Sequence, residues 1–298
     1  MITGKVATNI WSEDEILKFY DKVICYDKDD RDSSNCDFFC VAARKKYLPE
    51  SMKDVYDMGN TFMEHKNLLT RVDRDMYLAK VRQVNAALDF IPDKQYRCLP
   101  RECMVFYANV NHVDIFKSVH EFKMILLDWE YNALDLLKTY SDALKENIND
   151  RIKAVQSNLM KSFQDARNST KAWLDIDCDI DENVYSLEKS LQISRLDILK
   201  KELKAKLGPT SVEPYIIWTR GGCHVLINRS SIRECNSRLS KECTSKEELT
   251  SKVVTPENLL EFIGDFFSGA KVKEIKVNPN AGVPMPGTVQ GGFRVRLY

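Results

Sequence analysis

Hydrophobic positions in the first hundred residues recur at intervals of three and four. The segments 60–69 (NTFMEHKNLL) and 76–90 (MYLAKVRQVNAALDF) are the clearest examples, and this spacing is typical of amphipathic helices. Pro100 interrupts the pattern, because proline lacks the N–H that continues a helix. We therefore predict a mostly helical N-terminal accessory region over 1–99, followed by a second unit over 100–298.

From residue 100 onward the helical period alternates with the period of two that is typical of strands. Strict alternation is clearest in 173–180 (WLDIDCDI), where the apolar side chains share one face of a strand. Thr255 followed by Pro256 is a typical helix start. The predicted elements are strand 103–110, helix 113–166, strand 173–180, helix 185–207, strands 215–218 and 223–227, helix 255–267, and strands 272–277 and 293–297. This order predicts an α+β fold with a mainly antiparallel sheet.

Composition limits the class of protein. Hydrophobic residues make up 44% of the chain and charged residues 30%, which excludes a disordered or collagen-like protein. No stretch approaches the roughly 18 consecutive apolar residues of a membrane-spanning helix. We therefore expect no membrane partner and a cytoplasmic location, or the host cytoplasm or nucleus if the chain is viral. The net charge is zero, which argues against binding nucleic acid through charge alone.

The nine cysteines are irregularly spaced. None forms the C-x-x-C spacing that is typical of zinc sites, and reduced, packed thiols are the simplest interpretation for a cytosolic chain. A zinc site formed by the pairs Cys36/Cys40 and Cys98/Cys103 remains an alternative.

Three aspartates fall on one face of the predicted strand over 173–180. Asp175, Asp177 and Asp179 alternate with apolar residues, so neighbouring carboxylates lie roughly 7 Å apart on the polar face. Like charges at this distance repel unless a cation lies between them, and paired carboxylates are typical ligands of Mg²⁺ or Mn²⁺. The alternative is a solvated strand face without a ligand.

A calcium loop that begins at Asp177 is a second interpretation of the same acids. Asp177, Asp179 and Asp181 would occupy its first, third and fifth positions, and Glu188 its twelfth. Position six, however, is Glu182, where such loops place a glycine.

A glycine-containing turn leads into the strand that bears His224. The segment 219–227 reads TRGGCHVLI. Glycines such as Gly221 and Gly222 expose backbone N–H groups and let a phosphate approach closely. A histidine at the start of a strand is also common as a structural residue, so the turn alone does not decide its role.

Together these motifs resemble the catalytic core of the archaeo-eukaryotic primase superfamily, of the small viral or phage primase-polymerase type. An apolar run into Asp175-x-Asp177 resembles its first motif, and Gly222-Cys223-His224 resembles its second. The segments 105–111 (VFYANVN) and 284–293 (PMPGTVQGGF) are similar to an early strand and a tail loop of small viral members. The resemblance covers roughly residues 100–298.

The resemblance implies a nucleotidyltransferase with an RRM-like, mainly antiparallel catalytic core. Asp175 and Asp177 would hold two divalent ions, Mg²⁺ or Mn²⁺, that bring a 3′-hydroxyl to the α-phosphate of a nucleoside triphosphate. His224 would contact the phosphates, with Gly222 and Arg220 beside it. The implied partners are nucleoside triphosphates, a single-stranded DNA template and a replicative helicase.

The third carboxylate of the family has no clear counterpart in this chain. The strand that should supply it, 272–277, contains Glu274, and the nearby helix contains Asp265. We therefore name Glu274 as the third metal ligand, with Asp265 as its alternative. Arg294, Lys276 and the run 44–46 (RKK) are further candidates for phosphate or template contacts.

Two other functions remain open on the same residues. A metal-dependent nuclease can use strand carboxylates, although such sites usually have a lysine two or three residues after an acid, and none follows Asp177 or Asp179 closely. A non-catalytic core that binds nucleotide or nucleic acid is the other alternative, because the third motif is missing.

Overall fold

The structure is a computed structural model with an α+β fold and antiparallel sheets. It describes residues 11–25, 35–53, 61–70, 73–87, 100, 103–139, 159, 162–163, 165, 172–180, 189–268, 272–278 and 282–298. Side chains are described in these ranges except over 61–70, 128–139 and 189–194. Among the helices so described, none combines the length and the apolar character that crossing a bilayer requires.

Helices and strands are distributed over the whole described chain. The helices are α1 Glu13–Phe19, α2 Glu50–Lys53, α3 Arg74–Ala87, α4 Ile115–Thr139, α5 Lys189–Leu207, α6 Arg229–Glu242, α7 Lys246–Lys252 and α8 Pro256–Phe266. The strands are β1 Asn35–Arg44, β2 Thr61–Thr70, β3 Met104–Asn109, β4 Val113–Asp114, β5 Trp173–Ile180, β6 Tyr215–Trp218, β7 Gly222–Asn228, β8 Val272–Val277, β9 Gly282–Pro284, β10 Val289–Gln290, β11 Phe293–Arg294 and β12 Arg296–Leu297. A π-helical turn, Tyr20–Ile24, continues α1, and a 3₁₀ turn, Lys45–Tyr47, follows β1.

The first sheet has the strand order β2-β1-β3-β9, and β4 also pairs with β1. Its central strand β1 (NCDFFCVAAR) is a nearly continuous apolar run that is buried along almost its whole length. The prediction of a mostly helical region over 1–99 is therefore wrong for this part of the chain. Residues 60–69 have helical spacing, but Thr61–Thr70 forms the strand that pairs with β1. Pairing with a distant partner outweighs the local pattern.

The second sheet has the order β12-β6-β7-β5-β8, with antiparallel neighbours throughout. The strands predicted over 173–180, 215–218, 223–227 and 272–277 are confirmed. Alternate residues of β5 (Leu174, Ile176 and Cys178) are buried against helices α5 and α8. The other face of β5 therefore carries Asp175, Asp177 and Asp179.

One apolar cluster connects the two sheets through α1. It contains Phe39 of β1, Ile16 of α1 and Trp173 of β5, all almost fully buried. The Trp173 indole N–H donates to the Val23 carbonyl at 3.1 Å. The Asn111 side chain accepts from the Trp173 backbone N–H at 2.8 Å and donates to its carbonyl at 3.1 Å. The start of β5 is thus fixed against the first sheet.

The helix predictions of the second half are mostly confirmed. Helix α5 ends at Leu207, and α8 begins with the Thr255 hydroxyl accepting from the Asn258 backbone N–H. Helix α4 is described as far as Thr139, and residues 140–158 of the predicted helix lie outside the described residues. Helices α6 and α7 were not predicted, because their sequences are mainly polar and contain few apolar residues.

The division at residue 100 and the RRM-like description remain predictions. Strand β1 pairs with β3, from Phe39↔Ala108 to Ala43↔Met104. Hydrogen bonding in the first sheet therefore crosses the predicted boundary.

Candidate active site

The register of β5 with β7 places His224 directly opposite Asp177. The Arg229 backbone N–H donates to the Ala172 carbonyl, and the Ile180 N–H donates to the Gly221 carbonyl. Because hydrogen-bonded pairs alternate along an antiparallel ladder, Asp177 and His224 form a non-hydrogen-bonded pair, whose side chains lie closer together. The strand geometry therefore brings the imidazole beside the carboxylates.

The imidazole of His224 lies between two aspartates. Its Nδ1 is 3.1 Å from Asp175 Oδ1 and 3.3 Å from Oδ2, and its Nε2 is 3.6 Å from Asp177 Oδ1. The sequence-predicted residues Asp175, Asp177 and His224 are therefore brought together by the fold. The His224 side chain is 10% exposed, so the contact lies in a largely dehydrated environment.

Asn278 is a member of this group that the sequence analysis missed. Its side-chain amide donates to Asp175 Oδ2 at 2.8 Å and to the Gly282 carbonyl at 3.3 Å. Its backbone N–H also donates to the Asp175 carbonyl at 2.9 Å. The sequence contains one signal that could have identified Asn278. Glu274, Lys276 and Asn278 alternate along the end of β8, which assigns Asn278 to the same face as the two charged residues.

The charges at the site shift two pKa values. Burial alone lowers the pKa of His224, but the charge and hydrogen bond of Asp175, together with the charge of Asp177, raise it to about 9. Burial raises the pKa of Asp177, as does the charge of Asp175, whereas His224 lowers it. His224 is therefore a cation at neutral pH, held between carboxylates.

The three aspartates differ in accessibility. The Asp175 side chain has no exposed surface, the Asp177 side chain is 33% exposed, and Asp179 is half-buried. Glu274, the predicted third metal ligand, lies opposite Asp179 but is exposed and forms an ion pair with Lys276. Of the three aspartates, Asp177 and Asp179 are thus the ones open to a ligand from solvent.

Gly222 allows β7 to lie close to β5. A Cβ atom there would overlap the Cys178 carbonyl oxygen, so only glycine fits without a backbone shift. Arg220, on the turn before Gly222, donates from Nη1 to the Gly291 carbonyl at 2.6 Å. Its guanidinium also lies 5.2 Å from the centre of the Tyr47 ring. In this conformation Arg220 holds the tail loop against the β6–β7 turn; its role as a nucleotide contact stays a prediction.

The other candidates lie on separate elements. Asp265 is exposed on α8, and Arg294 lies 3.6 Å from Glu15 of α1. The Arg44 guanidinium lies 6.0 Å from the centre of the Tyr107 ring. The structure gives no contact between these residues and the His224 group.

The described residues do not form a closed metal site by themselves. Within these ranges, no three His, Cys, Asp or Glu side chains converge in the manner of a metal-binding group. Asp177 and Asp179 lie in β5, which pairs on both sides, so a calcium loop beginning at Asp177 does not fit; Asp181 and Glu188 lie outside the described residues. Cys36, Cys40 and Cys103 are buried free thiols, and Cys98 lies outside the described ranges.

Comparisons with protein-family models, with curated proteins and with solved structures give no match to this chain. The resemblance to primases therefore depends on the sequence motifs alone.

Proposed function

We propose that the chain is a nucleotidyltransferase of the primase or primase-polymerase type. The observation that supports this proposal best is the β5–β7 register, in which Asp177 lies opposite His224 and Asp175 contacts the same ring. Carboxylates on one face of a sheet can bind a metal cation, and a cationic imidazole beside them can bind a phosphate. Those are the two ligands that template-directed phosphoryl transfer requires.

The exposed acids suit a magnesium or manganese ion that shares its ligands with a substrate. Mg²⁺ is usually bound through one or two carboxylates, waters and substrate phosphates rather than by a complete protein cage. Asp177 and Asp179 have the right chemistry and are partly open to solvent. When bound, such an ion stabilises the attacking and leaving oxygens of an in-line displacement. Glu274 lies opposite Asp179 and is exposed, but its carboxylate forms an ion pair with Lys276.

His224 supplies a positive charge for the triphosphate. Its Nε2 is directed towards Asp177 at 3.6 Å, which is longer than a strong hydrogen bond and leaves this N–H able to donate to a phosphate oxygen. The implied substrates are nucleoside triphosphates and a single-stranded DNA template, and a replicative helicase is the implied partner. Whether the product is RNA or DNA lies outside the proposal.

Primer synthesis and extension on single-stranded DNA, with Mn²⁺ or Mg²⁺ and labelled nucleotides, test the proposal. Asp177→Asn should lower the rate at least about a hundredfold, because a metal ligand contributes several kcal/mol of transition-state stabilisation. The matched control is Asp197→Asn, which changes an exposed aspartate on α5 and should retain the wild-type rate.

Three results would contradict the proposal. They are no synthesis by the wild-type chain with either metal, full synthesis by Asp177→Asn, and metal-dependent cleavage of DNA without nucleotide addition. The last result would favour the nuclease alternative.

A further inference from the structure

We infer that Asp175 and Asn278 are positioning residues, whose role is to fix the His224 ring so that Nε2 faces the substrate phosphates. The inference rests on the proposed function for the identity of that substrate. It changes the role of Asp175 from the predicted metal ligand to the residue that orients the histidine. It also adds Asn278, which no motif identified.

Both carboxylate oxygens of Asp175 have protein partners. Oδ1 is 3.1 Å from His224 Nδ1, and Oδ2 accepts from the Asn278 amide at 2.8 Å. The side chain has no exposed surface. Because the carboxylate has no exposed surface, a cation could reach it only by displacing the groups that enclose it. Separating those groups would leave buried polar atoms without partners, which is costly.

Asn278 binds Asp175 through two hydrogen bonds and Gly282 through a third. Its backbone N–H donates to the Asp175 carbonyl at 2.9 Å. Its side-chain amide uses one N–H for the Asp175 carboxylate and the other for the Gly282 carbonyl at 3.3 Å. Gly282 belongs to β9, which pairs with β3 of the first sheet. The carboxylate that orients His224 is therefore fixed by both sheets.

This arrangement determines which ring nitrogen meets the substrate. A buried carboxylate beside Nδ1 requires a proton on Nδ1 that donates to it. The remaining nitrogen, Nε2, lies on the side of the partly exposed Asp177. A carboxylate that orients an imidazole through one nitrogen while the other acts on the ligand is a recurrent arrangement in proteins. The cation is then left to Asp177 and Asp179.

Proton NMR of imidazole N–H groups in the metal-free protein tests the positioning directly. The wild type should show a low-field Nδ1–H signal from His224 that disappears in both His224→Gln and Asp175→Asn. A second buried pair, His112 Nδ1 at 2.7 Å from Asp37 Oδ1, supplies an internal control. Its signal should persist in both variants, which shows that they are folded.

Binding measurements separate a positioning role from a metal-ligand role. Asp175→Asn and His224→Gln should each raise the nucleotide Kd about tenfold, because the first removes the acceptor that orients the imidazole and the second removes the charged donor itself. The double variant should bind nucleotide no more weakly than His224→Gln alone, because Asp175 acts through that ring. Asn278→Ala should shift the nucleotide Kd in the same direction by a smaller factor. The Mn²⁺ Kd should change little in Asp175→Asn and rise strongly in Asp177→Asn.

The inference is overturned if the His224 signal survives in Asp175→Asn, or if this variant weakens Mn²⁺ binding as much as Asp177→Asn does. A third outcome has a different meaning: the wild type gives the His224 signal, Asp175→Asn lacks it, and the wild type binds no nucleotide. In that case the positioning of His224 is supported and the proposed function is rejected.

Discussion

Three aspartates on one strand meet three different environments. Asp175 is fully buried with both oxygens bonded, Asp177 is partly exposed beside His224, and Asp179 is half-buried opposite Gly222. The same side chain can therefore orient a histidine or be open to a cation, depending on its surroundings. At the scale of residues, the site is defined by these differences rather than by the Asp-x-Asp pattern, which the sequence contains six times.

The stability of the metal-free protein should depend on the charge of His224. The pKa of His224 is raised from its ordinary value of 6.5 to about 9. The stabilisation from its charged form is therefore fully present below about pH 6.5 and is lost as the pH rises through about 9, in total roughly 3 kcal/mol. We expect the difference in unfolding free energy between wild type and His224→Gln to decrease over this interval.

Urea denaturation in the presence of EDTA, at several pH values between 6 and 10, measures this difference. His120→Gln is the matched control, because His120 is exposed on α4 and its loss should cost little stability. A wild-type advantage over His224→Gln that stays constant across the range would show that the ring is not charged by its neighbours.

At the site, alternation and motif order were sufficient to predict that Asp175, Asp177 and His224 meet. Apolar and polar residues alternate with a period of two in β5, which assigns Asp175 and Asp177 to one face of the strand. The apolar run after His224 assigns its ring to the face opposite Val225. The position of Asn278 and the enclosure of Asp175 depend on how β8 aligns with β5. That register depends on residues far apart in the chain, so the local sequence pattern does not reveal it.

At the scale of elements, the close contact between β5 and β7 determines the shape of the site. Gly222 lies opposite Asp179, and a Cβ atom at this position would overlap the Cys178 carbonyl oxygen, so no side chain fits there. The strand pair can therefore place His224 against Asp177 without a bulge in β7.

Gly222→Ala should destabilise the protein by roughly 3 kcal/mol, because the added methyl group forces β7 away from β5. It should also weaken nucleotide binding, since the same shift moves His224. Thermal or urea denaturation measures the first effect, and nucleotide titration of the folded variant measures the second.

Gly264→Ala is the control for this substitution. A Cβ atom at Gly264, within α8, would lie 3.9 Å from the Ile275 side chain, an ordinary contact. Alanine favours a helix over glycine, so this variant should gain up to about 1 kcal/mol. A Gly222→Ala variant as stable as the wild type would mean that the two strands are not in close contact at this position.

Local patterns predicted the elements of the second half better than those of the first. Strand β5 alternates between apolar and polar positions, and the apolar residues of α8 recur at helical spacing, so both periods are visible in the sequence. Strands β6 and β7 are buried along their whole length, and their β-forming residues predict them instead. Strand β1 is buried on both faces and lacks such a period. Strand β2 has the spacing of a helix, and only its pairing with β1 makes it a strand.

At the scale of the whole molecule, the two sheets share one core. The cluster that contains Phe39, Ile16 and Trp173 includes residues from both sides of residue 100. The Glu15 carboxylate accepts from the Leu297 backbone N–H at 3.0 Å, so α1 is also bonded to the last strand of the chain. The N-terminal hundred residues are thus part of the structure that supports the site.

A chain that begins at residue 100 should therefore fail to fold. It would lack α1 and the central strand β1, and it would expose the apolar residues of β3 and the Trp173 side chain. Circular dichroism and amide NMR of the fragment, compared with the full chain, provide the measurement. A dispersed spectrum with a cooperative melting transition would instead support the predicted division into two separate units.

An experimental structure with Mn²⁺ and a non-hydrolysable nucleoside triphosphate tests the central claim most directly. The account predicts anomalous density for manganese bonded to the Asp177 carboxylate, a phosphate oxygen within hydrogen-bond distance of His224 Nε2, and Asp175 still bonded to Nδ1 and to Asn278. A triphosphate bound away from β5 and β7, or manganese on acids elsewhere in the molecule, would contradict it.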